Sequence, residues 1–263
     1  MSSSSLASSA AAPRSAALPD RGLPDAVLPD AVFPDPEPGA SGGPAGNSSA
    51  MATLCASYLQ AQLAGDRREA SRLVVENGLE RGLSWADVHR VIQNAQNEIG
   101  RLWQEDRITI AQEHMATAIS QVVLSHVYQY ADVPRLNGKK VVVACVEGEL
   151  HDFPSRLVAD ALDLAGFAVR FLGASVPTEH LLSMLEREKP DLLVLSATMS
   201  FNVPALRTAV TRVRAENPGL PIAIGGGACI WNERLAEELA ADLAGCDAAE
   251  LVAKAQKLLG VIE

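Results

Sequence analysis

The sequence predicts an α/β protein in which a four-helix bundle precedes a doubly wound parallel sheet of five strands, flavodoxin-like in class. Two patterns carry this expectation. Between about residues 51 and 135 apolar side chains recur at helical spacing, and from about residue 136 to 263 short β-rich runs alternate with helical ones. Composition agrees: with 263 residues, 48% of them hydrophobic and 21% charged, the chain has the apolar material for such a core.

In the first region Ser84-Trp85-Ala86-Asp87 and Thr109-Ile110-Ala111-Gln112 read as capping boxes, each opening a helix. Trp85, Val88, Ile92, Ala95, Ile99 and Leu102 mark the buried face of the first. Met115, Ile119, Val122 or Val123, and Val127 mark that of the second. Two earlier helices are expected at 52–64 and 66–79, and Pro134 closes the region. Four amphipathic helices with short links make a bundle.

In the second region strands are expected at 139–146, 169–172, 191–197, 221–224 and, more weakly patterned, 242–245. Helices are expected at 155–165, at 177–188 with Thr178 as N-cap, at 204–216, near 232–239, and from Asp247 onward. Such β-α repetition gives a parallel sheet with helices on both faces. Ligands then bind at the carboxyl ends of the strands.

Residues 1–50 differ in kind: they hold 10 Ser, 8 of the 15 Pro and no Lys. Leu18-Pro19-Asp20, Leu23-Pro24-Asp25, Leu28-Pro29-Asp30 and Phe33-Pro34-Asp35 repeat every five residues. Proline at this density removes backbone donors and blocks helices, so a disordered tail is expected. Its repeats read as a docking motif or as a solvated extension. No secretory signal pattern and no apolar run long enough to cross a bilayer occurs, so a cytoplasmic protein without membrane contact is expected. The net charge of −10 argues against nucleic-acid binding through the overall field. Cysteines 55, 145, 229 and 246 form no C-x-x-C pair and no zinc spacing, and are expected as buried, idle thiols.

The unusual residues lie at the strand ends: Glu147 to Asp152 after the first strand, Ser196-Ala197-Thr198 after the third, Gly225-Gly226-Gly227 after the fourth. These three segments should meet on one rim. His151 beside a glycine loop is free to ligate, and Glu149, two residues earlier, can accept its second N–H, fixing the tautomer and raising ligand basicity. The small residues of the other two segments leave a slot for something flat or long. A phosphate cradle is the alternative use of the glycines, but no G-x-G-x-x-G follows the first strand.

These segments resemble the cobalamin-binding domain of methionine synthase and of many mutases and corrinoid proteins, whose pattern is Asp-x-His-x-x-Gly, then Ser-x-Leu, then Gly-Gly. Here the segments read Glu149-Leu150-His151-Asp152-Phe153-Pro154, Ser196-Ala197-Thr198 and Gly225-Gly226. Glu149 stands for the Asp, Pro154 for the Gly and Thr198 for the Leu. The resemblance covers residues 51–263, since a helical bundle before such a domain is also typical. It implies that His151 displaces the cofactor's dimethylbenzimidazole tail and becomes the lower axial ligand of cobalt. Glu149 and Asp152 would also be cofactor-binding residues, and the tail would thread a slot lined by Ser196, Thr198, Gly225 and Gly226.

Trp103, followed after nine residues by Glu113-His114, is similar to the upper-face motif of CarH-type cobalamin photoreceptors. By that resemblance Trp103 covers the upper corrin face, Glu113 bonds an adenosyl group, and His114 binds cobalt from above after photolysis. No segment resembles a DNA-recognition helix with basic residues aimed at bases. The chain thus resembles stand-alone AerR/PpaA-type regulators, which implies a light-sensing, non-enzymatic protein with no catalytic residue. Its expected partner is a transcription factor, its assembly homo-oligomeric and light-dependent, and its cofactor adenosylcobalamin, with methyl- or hydroxocobalamin as variants. The alternative is a corrinoid shuttle protein for methyl transfer; a haem-binding relative and a cofactor-free interaction module complete the set.

Four other side chains carry smaller expectations. His89 is placed on or near the surface, His126 is structural or exposed, and His180 is a first-turn surface residue. Trp231 packs against the sheet or, less simply, on the cofactor's nucleotide tail.

Overall fold

A computed structural model describes residues 45–132, 134–245 and 247–261, with side chains from Ser49 onward. The N-terminal repeats and Cys246 lie outside the described residues.

Four helices come first: α1 (Ala45–Leu63), α2 (Arg67–Glu76), α3 (Trp85–Gln104) and α4 (Ile110–Val127). Helix α1 begins upstream of its expected start at Ala52, and α2 ends early because a short 3-10 turn, Leu79–Arg81, replaces its last turn. Both capping boxes form. The Ser84 and Thr109 hydroxyls accept from the backbone N–H groups of Asp87 and Gln112, whose side chains accept in return. The bundle interior holds Leu54, Leu73, Val88, Ile92, Ile99, Ile119, Val123 and Val127. On α4 it is Val123, not Val122, that faces inward, and Met115 is exposed.

Five strands follow: β1 (Lys140–Cys145), β2 (Ala168–Phe171), β3 (Leu192–Ser196), β4 (Ile222–Gly225) and β5 (Leu243–Gly245). They are all parallel, in the order β2-β1-β3-β4-β5, the flavodoxin-like arrangement. The helices between them are α5 (Phe153–Leu164), α6 (Thr178–Glu188), α7 (Val203–Glu216), α8 (Gly227–Trp231), α9 (Leu235–Glu238) and α10 (Ala248–Leu258). Strand residues alternate between two cores. Val142, Leu193, Leu195, Ile222 and Ile224 pack toward Leu182, Leu206 and Val210 of α6 and α7. Val141, Val143, Leu192 and Val194 pack toward Leu162 of α5 and Leu251 of α10. A sheet buried on both faces needs the near-continuous apolar runs that these strands have.

Three local expectations are corrected. Thr178 is the first helical residue; Pro177 occupies the cap position, where no side chain bonds the helix end. The single helix near 232–239 is two short ones, because the chain turns into helix directly after the glycines and breaks at Asn232. That leaves Trp231 67% exposed instead of packed on the sheet. His180 is exposed, and His126 is half-buried with Nδ1 2.7 Å from the Ser71 hydroxyl.

The bundle and the sheet domain meet through α3, α4, α5 and the start of α10. Gln93 of α3 donates to Asp247, the N-cap of α10 (3.3 Å), and Arg156 of α5 donates to Ser125 of α4 (3.1 Å). His89 lies at this junction and is buried, contrary to its expected surface position, because the Trp85 ring stacks over it at 4.4 Å between centroids. Burial pushes its imidazole down to about 3, the Asp247 carboxylate pulling the other way.

The neutral imidazole is therefore the folded form, and the unfolded chain takes up the proton first, near pH 6.5. The stability this gives is complete above that value and is lost as pH falls toward about 3. Asp160, pushed up to about 6 mainly by burial, works in the opposite direction, so a variant comparison is needed. Between pH 7 and pH 5 the native chain should lose about 2 kcal/mol relative to His89→Phe in denaturant unfolding. Parallel pH profiles for the two proteins would show that His89 is not buried neutral.

Candidate functional site

The carboxyl ends of the strands form one row, because Cys145 pairs with Ser196, Ser196 with Gly225, and Gly225 with Gly245. The chain leaves β1 through a turn whose Glu149 side chain points back under the rim and is fully buried. Its Oε1 accepts from the His151 backbone N–H (2.9 Å) and lies 2.6 Å from His151 Nδ1. Its Oε2 accepts from the backbone N–H groups of Thr198 (2.7 Å) and Met199 (3.1 Å) and from Asn202 Nδ2 (2.8 Å). Burial alone would raise this carboxyl, but the donors outweigh it and hold it at about 2.

A carboxylate only accepts hydrogen bonds, so His151 carries a proton on Nδ1, and in the neutral imidazole Nε2 is the nitrogen left open. The His151 side chain is 45% exposed, while its partner is completely enclosed. The Glu149 bond raises the imidazole above its ordinary range, partial burial opposing; Glu113 of the bundle is close enough to add to the effect. Among the described residues no group of three or more His, Cys, Asp or Glu is arranged to hold a bare metal ion. A lone imidazole of this kind suits a metal whose other ligands arrive with it.

The β3 and β4 ends supply the neighbouring slot. Thr198 Oγ1 is buried without a hydrogen-bond partner, and Ser196 Oγ has only the Cys145 thiol beside it. Gly226 has φ +91°, and a Cβ there would stand 2.5 Å from the Ala197 carbonyl oxygen and 3.0 Å from Ser196 Oγ. Only glycine fits that position. A Cβ on Gly225 would come within 3.0 Å of the Gly245 carbonyl oxygen. An orphaned Thr198 hydroxyl and a Ser196 hydroxyl with only a thiol beside it, both next to a glycine-lined wall, are groups that a polar ligand would satisfy.

Glu149, His151, Ser196, Thr198, Gly225 and Gly226 thus gather on one rim. Asp152 does not join the Glu149 network. It precedes α5 without a side-chain cap bond and lines a cleft with Gln121 and Ser125 of α4 and Arg156 of α5. On the bundle side, Trp103 is half-buried in the last turn of α3, Glu113 lies in the first turn of α4, and His114 follows it. His114 Nδ1 is 2.5 Å from Glu113 Oε2, and the His114 side chain is 69% exposed. Two carboxylate–imidazole pairs are therefore present, one on the rim and one on the bundle. The sequence reading missed Asn202, which a 3-10 turn (Ser200–Asn202) swings beneath Glu149; no spacing rule marks it. It also missed Phe201, 69% exposed beside the rim, as is Leu150 at 73%.

Known proteins resemble this chain in both regions. The B12 binding domain family matches residues 139–255, and a second family, also described as B12 binding domain, matches residues 54–128. Dimethylamine corrinoid protein 3 of Methanosarcina acetivorans is 25% identical over 189 residues, covering 71% of this chain and 82% of that protein. Dimethylamine corrinoid protein 3 of Methanosarcina mazei is 30% identical over 119 residues, covering 45% of this chain and 71% of that one. The HTH-type transcriptional repressor CarH of Myxococcus xanthus is 30% identical over 144 residues, 54% of this chain and 48% of the repressor. The fold matches that of the Methanosarcina barkeri monomethylamine corrinoid protein, with a TM-score of 0.69 at 21% identity over 81% of this chain and 99% of that chain.

Replacing Glu149 tests the rim without any ligand. Glu149→Gln turns an acceptor oxygen into an NH2 group facing buried donors, and should cost about 3 kcal/mol in denaturant unfolding. An unchanged midpoint would mean that the rim is not organised around this side chain.

Proposed function

Because the chain belongs to the B12 binding domain proteins, with one such family matching its sheet domain and a second its helical cap, we propose that it is a corrinoid carrier that holds cobalamin between them, with His151 beneath the cobalt, for use by a protein partner. The cofactor is a corrinoid; its place on the rim rests above all on the Glu149–His151 pair, which leaves Nε2 as the ligating nitrogen of the neutral imidazole. Bound there, cobalamin would supply a cobalt able to carry and give up a methyl or adenosyl group. Glu149 fixes the orientation of the imidazole and strengthens it as a donor. The Ser196 and Thr198 hydroxyls and the Gly225-Gly226 wall would receive the displaced nucleotide tail, and Asp152 would border the cap-side cleft. In this reading the chain's side chains hold and orient the cofactor and do not themselves react with the group it carries.

The upper face decides the task. Methyl transfer with a partner methyltransferase is the task that most relatives favour: the dimethylamine corrinoid proteins align over more length than the sheet domain alone provides. A specific observation favours a second task, light-dependent signalling to a transcription factor. Trp103, Glu113 and His114 stand on the cap, the Glu113 charge adds to what raises the His151 imidazole, and one 30% identical relative is the repressor CarH. An indole and an imidazole there would cover the face that a methyltransferase must reach.

Absorption spectra separate these outcomes. Protein mixed in the dark with adenosyl- or methylcobalamin should give a base-off, histidine-bound spectrum, and His151→Ala should abolish it or weaken binding at least about tenfold. An unchanged spectrum in that variant would refute the lower-ligand assignment.

Illumination then distinguishes the two tasks. A stable photoproduct whose spectrum changes in His114→Ala, with altered solution scattering, identifies the sensor. Equal binding of both cobalamins, and identical scattering in dark and light, identifies the methyl carrier.

A further inference from the structure

We infer that Thr117 and Gln96 are positioning residues: through a buried hydrogen-bond chain they hold the Glu113 carboxylate across His114, so that the imidazole keeps its proton on Nδ1 and its Nε2 open. The inference deepens the upper-face part of the proposed function and rests on that reading for its importance, though not for its test.

The starting point is an oddity of helix geometry. Neighbouring side chains on a helix do not face each other. Yet Glu113 and His114 are adjacent in sequence and their side chains meet at 2.5 Å, although His114 is largely exposed to competing water. Something must hold the carboxylate sideways. Its other oxygen, Oε1, accepts from the Thr117 hydroxyl one turn later (2.9 Å). Thr117 Oγ1 accepts in turn from Gln96 Nε2 of α3 (2.8 Å). Gln96 Oε1 accepts from Gln62 Nε2 of α1 (2.9 Å) and from Ser120 Oγ of α4 (3.1 Å). Ser120 Oγ lies 2.9 Å from the Tyr58 hydroxyl, also on α1.

The direction of donation is then fixed along the whole path. With its proton given to Gln96, Ser120 accepts from Tyr58; Gln96 passes from acceptor to donor through its amide; Thr117 donates to the carboxylate. From Tyr58 through Ser120, Gln96 and Thr117 the donors point toward Glu113, an arrangement in which each bond polarises the next, while Gln62 Nε2 also donates to Ser120 Oγ (2.8 Å) and to the Ala116 carbonyl (3.1 Å). Tyr58, Gln62 and Ser120 are fully buried, Gln96 and Thr117 half-buried, and Gln62 Oε1 is left without a partner. An apolar interior would pack the bundle as well without an orphaned oxygen. What the polar chain adds is a fixed orientation at its one exposed end, the Glu113–His114 pair.

The test uses apo protein and the imidazole nitrogen resonances of His114, recorded at about pH 8.5, above the ordinary imidazole range. Native protein and Thr117→Ser, which keeps the hydroxyl, should both show the Nδ1-protonated tautomer. Thr117→Val should shift His114 toward the Nε2-protonated tautomer of free imidazole in water. The double variant Gln96→Leu/Thr117→Val removes donor and acceptor together, leaves no orphan between them, and should behave like Thr117→Val even if the single variant folds poorly. His151, held by Glu149, should not change in any of them. A native His114 tautomer in both the Thr117→Val and the double variant overturns the inference, as does Nε2 protonation in the native protein. Failure of the cobalamin reading would appear elsewhere, in the His151→Ala absorption spectrum, so the two failures are separable.

Discussion

The site depends on one buried carboxylate. Glu149 ties the turn after β1 to the turn after β3 by accepting from Thr198, Met199 and Asn202 with one oxygen and from His151 with the other. A charge enclosed without partners would be expelled or neutralised; here each oxygen is surrounded by donors, and the group stays ionised. The same bonds that make its burial tolerable orient the one imidazole that projects from the rim. Rigidity below and exposure above are two results of a single arrangement.

The glycines complete it from the other side. Parallel strands place Ser196 beside Gly225 in register, and the positive φ of Gly226 lets the β4 turn lie against the Ala197 carbonyl. The wall so formed has no side chains, and the hydroxyls next to it have no good protein partner. The cap carries a second carboxylate–imidazole pair, Glu113 and His114. The two pairs differ in support. Glu149 is anchored by backbone donors of its own sheet, whereas Glu113 is anchored through three helices of the cap. A change in how α1, α3 and α4 pack is therefore felt at Glu113 and not at Glu149.

Much of this was legible in the residues. The strands announced themselves as apolar runs because both faces of a parallel sheet are buried, and the two long cap helices did so because their capping boxes and apolar stripes agree. The Glu149–His151 pair was legible because its members are two residues apart. What lies far apart in sequence was not. Asn202 reaches Glu149 only through a turn after β3, and His89 is buried only because Trp85 folds over it. Tyr58, Gln62 and Ser120 are polar residues inside a bundle, and a hydrophobic pattern has no means of showing that polar groups have found one another. Trp103, Glu113 and His114 were legible as a spacing, while the task they would serve was not, because a carrier and a sensor would use the same His151 rim.

The central claim is that the His151 imidazole nitrogen occupies the lower coordination position of cobalt. Electron paramagnetic resonance of the paramagnetic cobalt(II) form, bound to protein grown with 15N-histidine, tests it most directly. Coupling to an axial nitrogen should appear as triplets with natural-abundance protein and collapse to doublets with the labelled protein. Triplets that persist unchanged after labelling would mean that the nitrogen belongs to the cofactor's own base, and that His151 is not the ligand.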